Sequence, residues 1–318
     1  MPMPPSTAAN PFRTDADVTL PAWVHGAGCA CPLHRRRRLA GGLLATGLLP
    51  ASVLAQDGVR GDVGSESKFS KLVPAEDVEK AAAQQYNQMK REAAGKRALA
   101  PDNHPQLQRL RSIADRIIPY TRPWNKRAAQ WRWEVNLIGS KELNAFCMPG
   151  GKIAFYFGIL QRLQLSDDEV AMIMGHEMAH ALREHARERM GKTAATRIGA
   201  GVVSSLLGLG NLGDAALGMG AQLLTLKFSR EDESEADLVG LELAARAGYD
   251  PSSGITLWQK MMKANEGAPP EFMSTHPAGN SRIEDIRATL PKVDPLFAKA
   301  AKPPRNFGPP APGSGREG

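Results

Sequence analysis

His176 and His180 stand four residues apart inside an apolar stretch, and that spacing limits what the chain can fold into more than any other feature of its 318 residues. Ser166-Asp167-Asp168-Glu169 reads as a capping box, in which the serine hydroxyl accepts from the amide three residues on and the glutamate reaches back. The helix it opens is expected to run to about Met190, with Gly191 as its stop. Val170, Ile173, Met174 and Ala181 make that helix largely buried. At ~100° per residue the two imidazoles lie about 40° apart and project from one face, so both can reach one ion. Glu177 is displaced by about 100° from His176 and reaches a water on that ion without binding the ion itself. Two histidines and a glutamate so placed are the arrangement in which zinc acidifies a water and the glutamate takes its proton. The bland alternative, a surface helix with two solvated histidines, fits the apolar neighbours poorly.

A catalytic zinc needs a third protein ligand and an open position. His185 lies nine residues after His176, about 180° around a continuous helix. It therefore points away and reads as a packing or hydrogen-bonding residue. The acidic run Glu231-Asp232-Glu233-Ser234-Glu235-Ala236-Asp237 offers better choices. Glu233 and Asp237 are four apart and share a face, whereas Glu235 is rotated by about 200° from Glu233. Glu233 is placed to ligate zinc while Asp237 accepts the ring N–H of a ligand histidine and fixes its tautomer. The alternative is a solvated acidic helix start, which the helix dipole favours on its own.

Around this core the pattern predicts an α+β domain of zincin type, mainly helical, with a small, mostly antiparallel sheet beside the metal helix. Helices are expected over Glu76–Arg97, from Pro105, over Ser229–Ala247, Ser252–Lys263 and Gly279–Leu290. Trp131–Ile138, Leu143–Cys147 and Lys152–Phe157 read as strands, with Pro149-Gly150 at a type II turn. The organisation that follows is a signal peptide over 1–55, a linker over 56–75, the domain over 76–296 and a disordered Pro/Gly-rich tail over 297–318. Arg35 to Arg38 precede an apolar run, Leu39 to Leu49, and Val53-Leu54-Ala55 is a small-residue cleavage site. Export to the periplasm is the expectation, with an uncleaved anchor as the alternative.

The formal net charge of +7 is partly local: five arginines against two aspartates before residue 56 carry +3, leaving +4 for the rest. That is too little to argue for nucleic acid. Cys147, alone after residue 55, reads as a buried packing residue. Ile198 to Lys227, glycine-rich and nearly uncharged, is read as buried helices or a lid beside the site, with peripheral membrane contact as the alternative.

Asn144-Ala145-Phe146 with Pro149-Gly150-Gly151, the His176–His180 helix, Ser229-Arg230 leading into Glu233-Ser234-Glu235-Ala236-Asp237, and Ser274-Thr275-His276-Pro277 with Arg282 occur in this order. Together they resemble the M48 peptidase family, zincins that include HtpX-like, mitochondrial and CAAX-prenyl proteases. The resemblance covers roughly residues 76–290. It implies one zinc held by His176, His180 and Glu233, with Glu177 as general base. It implies that His276 touches the metal or steadies an oxyanion, supported by Arg282. The strand Gly151 to Phe157, with Gly151, Ile153, Phe155 and the neighbouring Asn144, would be the edge that pairs with substrate backbone. The expected activity is endopeptidase cleavage of unfolded or misfolded envelope proteins, in a quality-control setting. The rival reading is an envelope chaperone or assembly factor that uses the same groove and rarely cuts. His276 is further expected to close the open zinc position at rest.

Overall fold

The computed structural model describes residues 58–199, 219–220, 223–224, 226–264, 271–276 and 280–311. The expected signal segment, most of the Ile198–Lys227 stretch and the loop before His276 lie outside them. In chain order the helices are α1 (Ala75–Gly95), α2 (Pro105–Ile117), α3 (Phe157–Leu163), α4 (Asp167–Leu182), α5 (His185–Gly199), α6 (Arg230–Arg246), α7 (Ser253–Ala264), α8 (Glu271–Thr275) and α9 (Asn280–Lys299). The strands are β1 (Glu134–Ile138), β2 (Ala145–Met148) and β3 (Lys152–Tyr156). Among the described residues no helix is long and apolar enough to cross a membrane.

Helix starts follow the local chemistry. The Ser166 hydroxyl accepts from the Glu169 amide at 3.2 Å and the Glu169 carboxylate accepts from the Ser166 amide at 2.8 Å. Ser229 and Asp232 form the same reciprocal pair at the start of α6. Pro105 sits in the first turn of α2, where its missing N–H costs nothing. Gly248 ends α6 with φ 88°.

Every residue of α4 except Asp168 is buried, so this helix has no solvent face. It packs against α6 on one side and the sheet on the other. Its closest approach to α6 is backbone on backbone. A Cβ built on Gly240 would lie 2.7 Å from the His176 amide nitrogen, and one on Gly175 would lie 2.7 Å from the Gly240 carbonyl oxygen.

The structure corrects three expectations. The sheet is mixed, in the order β1-β3-β2, with β1 parallel and β2 antiparallel to β3. The strand expected at the edge is therefore the central one. The metal helix does not run on to Met190; it stops at Leu182, because Glu184 takes φ 57° and turns the chain before α5 begins at His185. The segments assigned to linker and tail are packed where they are described. Val59 is fully buried, and its amide donates to Glu242 Oε2 at 2.8 Å. α9 continues through Pro291 and Pro295 to Lys299. Beyond it, the Phe307 and Gly308 amides donate to Asp167 at 2.8 and 3.1 Å.

Asp167 also accepts from Arg109 Nε at 2.7 Å, and the Arg109 side chain is fully buried. Asp167→Ala would leave that guanidinium without its carboxylate and free the two tail amides. It is expected to cost about 3–5 kcal/mol, read as a lower urea midpoint.

Candidate metal centre

The glycine crossing of α4 and α6 sets the site. His176, Glu177 and His180 come from α4, Glu233 and Asp237 from the first two turns of α6. His276 follows α8 and Arg282 lies in the first turn of α9. All seven are buried. His176 Nε2 lies 3.1 Å from His180 Nε2 and 3.2 Å from His276 Nδ1. Glu233 Oε1 is 2.9 Å from His276 Nδ1 and 3.4 Å from His180 Nε2, and Glu233 Oε2 is 3.5 Å from His176 Nε2.

Ligand atoms at about 2.0–2.2 Å around a tetrahedral zinc stand about 3.3–3.6 Å apart, so this set closes around one small cation with little movement. Its chemistry agrees: three imidazole nitrogens and a carboxylate point at each other within 4.8 Å, an arrangement a shared cation satisfies. A further sign is Glu177 Oε1, which is buried without a hydrogen-bond partner among the described residues, with His276 Nε2 3.5 Å away. The residues present therefore fit a zinc.

Asp237 and Arg282 hold the cluster from behind. His176 Nδ1 donates to Asp237 Oδ1 at 3.0 Å, which leaves Nε2 free to face the centre. Arg282 bonds both Asp237 oxygens, at 2.7 and 2.6 Å, and Glu233 Oε2 at 2.7 Å. The Arg282 Nη2 group also lies 3.3 Å from His176 Nδ1, but its short bond to Asp237 leaves that ring nitrogen as the donor. The guanidinium stacks 3.8 Å over the Trp258 ring.

These contacts set the charges. Burial opposes ionisation of Asp237, but Arg282 and His176 outweigh it and hold the carboxyl below its usual range. Burial also opposes a charge on His176, yet Asp237 and Glu233 push that imidazole up to about 9, so without a metal cation it draws a proton. For His180 burial wins and the ring is held well below its ordinary value, in the neutral form that ligates. Burial pushes the Glu177 carboxyl up, offset in part by His276 and His176.

The four candidate ligands, the candidate base Glu177 and the two supporting residues thus come together from distant positions in the sequence. The expected substrate edge does not. Gly151, Ile153 and Phe155 belong to or adjoin β3, which is paired on both sides, and Ile153 and Phe155 are fully buried. Asn144 stands apart from them, at the head of β2. Among the described residues that strand pairs with β3 alone, and Ala145 to Met148 line a cleft of about 410 Å³ that reaches Glu177, His180 and His276. Leu223, Leu224, Leu226 and Phe228 add apolar lining to the same cleft.

Three aromatic contacts carry no signal in the local pattern. Phe228 stacks on His180 at 3.9 Å, Phe272 on His276 at 4.6 Å, and Trp258 underlies Arg282. Cys147 is buried, and burial holds its thiol well above the usual range, as a packing residue requires.

The family model described as Peptidase family M48 matches residues 104–290. A mitochondrial metalloendopeptidase OMA1 of Arabidopsis thaliana is 39% identical over 47% of this chain and 30% of its own length. The OMA1 of Schizosaccharomyces pombe is 34% identical over 61% of this chain and 56% of its own. The metalloprotease LoiP of Escherichia coli is 30% identical over 62% of this chain and 75% of its own. The chain thus spans less than two thirds of those two mitochondrial relatives. Their names overturn the expected periplasmic location, since several of the relatives are mitochondrial proteins.

Proposed function

Because the chain belongs to peptidase family M48, we propose that it is a zinc-dependent endopeptidase that cleaves unfolded or misfolded protein segments. The observation that carries this reading is the convergence of His176, His180, Glu233 and His276 beside the orphaned Glu177 carboxylate. His176, His180 and Glu233 would hold the zinc, which when bound polarises a scissile carbonyl and acidifies a water.

The chain's own groups do the rest. Glu177, raised by its burial, takes a proton from the attacking water and returns it to the departing amine. His276, 3.5 Å from Glu177, steadies the negative charge that develops on the carbonyl oxygen. Arg282 holds Glu233 and Asp237 in place and keeps Asp237 ionised. The free side of β2, beginning at Asn144, pairs with an extended substrate backbone, the role that β3 is too enclosed to play. Pairing through backbone, against an apolar wall, favours unfolded segments over folded surfaces and tolerates varied sequence, as quality control of proteins demands.

Digestion of casein by the purified chain, with and without a zinc chelator, tests the reading. Cleavage that stops on chelation and returns with zinc supports it; cleavage indifferent to chelation overturns it. His276 adds a second expectation. Its Nδ1 lies among the ligand atoms, so at rest it can close the fourth position and leave only when substrate pairs with β2. His276→Ala should keep its zinc, because three ligands remain. Casein cleavage should rise if the latch dominates and collapse if the oxyanion role does; unchanged cleavage would leave His276 with neither.

A further inference from the structure

The rings of His176 and His180 need opposite-side support to present the same nitrogen to one ion, and Asp237 supplies it only for His176. On the far side of His180 stands His185, whose side chain is buried to 1% exposure. The left-handed turn at Glu184 is what brings it there, since a continuous helix would carry it to the opposite face. His185 Nδ1 is 2.9 Å from His180 Nδ1, and His185 Nε2 is 3.0 Å from Glu235 Oε2. The other Glu235 oxygen accepts from Arg183 Nε at 2.7 Å.

The direction of each bond in this chain follows from its ends. A carboxylate only accepts, so the hydrogen between Glu235 and His185 belongs to His185 Nε2. A neutral His185 then has a lone pair at Nδ1 and receives the hydrogen of His180 Nδ1. That leaves the lone pair of His180 on Nε2, the atom 3.1 Å from His176 Nε2 and 3.4 Å from Glu233 Oε1. A doubly protonated His185 would reverse the last bond and put a hydrogen on His180 Nε2, closing that position to a metal.

We propose that His185 and Glu235 are positioning residues that orient His180 and lock the tautomer in which its Nε2 faces the metal. The inference rests on the metallopeptidase reading above. Glu235 does for His180, through His185, what Asp237 does directly for His176. Two carboxylates two residues apart on α6 thereby aim both histidines of α4.

Zinc affinity of the full chain, measured by competition with a chromophoric chelator, tests the relay without reference to turnover. His185→Phe keeps a ring but removes the acceptor, and should raise the zinc dissociation constant about 10–100-fold. Glu235→Gln should do the same although it is one residue removed from any ligand. Its oxygen stays on Arg183, its amide then donates toward His185 Nε2, and the hydrogen is driven to the wrong nitrogens. His185→Asn, whose Oδ1 stands near the place of Nδ1 and accepts the same hydrogen, should recover most of the affinity. Should His185→Phe fail to fold, the partly exposed and isosteric Glu235→Gln carries the test by itself. Wild-type affinity in the phenylalanine and glutamine variants, beside a wild type that binds zinc, overturns the relay alone. An asparagine variant as weak as the phenylalanine one also overturns it, and reduces His185 to packing. A wild-type chain that takes up no zinc overturns the metallopeptidase reading itself.

Discussion

Glu177→Gln is expected to keep the metal and lose roughly 10²–10⁴ in turnover, the usual worth of a positioned general base. The amide fills the same space, and its residue is 2% exposed, so neither packing nor solvent access should change. Glu177 Oε1 has no hydrogen-bond partner among the described residues, so the substitution breaks no bond seen there. The loss should therefore appear in turnover, with melting temperature and zinc content near wild type. This variant also separates a protease from a groove that only holds unfolded chains. A chaperone with the same cleft would protect a client equally well with glutamine at this position. Full peptidase activity in Glu177→Gln would rule out proton transfer through this carboxylate, and with it the zincin mechanism.

Glu233→Ala should have the largest effect on metal content. It removes a carboxylate whose two oxygens between them face three imidazoles, and it also takes one anionic partner from the buried Arg282. Loss of affinity should exceed the roughly 10–100-fold expected for Asp237→Ala, which removes the support behind His176 and two bonds of Arg282 but none of the four facing groups. Metal analysis of the two variants side by side gives the ranking. The neighbouring acids offer no substitute, since Glu231 is exposed and Glu235 is engaged by His185 and Arg183. Full zinc retention in Glu233→Ala would remove it from the ligand set. Arg282 should still hold its two bonds to Asp237, so the variant is expected to fold.

The parts of this site that were legible in the sequence are those whose causes are local. The capping box at Ser166 and the four-residue spacings of His176 with His180 and of Glu233 with Asp237 are properties of single helices, and each appears as read. What was not legible depends on segments far apart. Strand order is one case: β3 lies between β1 and β2 because β1 pairs with it in parallel across the β2 hairpin, and no pattern within Lys152–Tyr156 distinguishes a central strand from an edge. The placement of His185 is another. Arg183-Glu184-His185 consists of residues a helix accepts, so nothing local marks a break there. The left-handed turn at Glu184 goes with tertiary bonds on either side of it, those of Arg183 and His185 to Glu235. Composition misled at the C-terminal end, where prolines and glycines signal disorder. There the amides of Phe307 and Gly308 find Asp167, whose charge is already held by Arg109.

The contact between Gly175 and Gly240 has a consequence for anyone who would redesign this protein. Most helix pairs are separated by side chains and lie about 8–10 Å apart, so their spacing drifts as those side chains change. At this crossing backbone meets backbone, and even one methyl at either glycine has no room. The separation of the two ligand-bearing helices is thus not an adjustable variable. Libraries that vary α4 or α6 near the crossing should yield mostly inactive chains, whatever chemistry they introduce. The freedom lies in the cleft lining, in Leu223, Leu224, Leu226 and β2, none of which supplies a group to the cluster. Selectivity for one peptide over another should be open to change there, while the hydrolytic centre remains a fixed part.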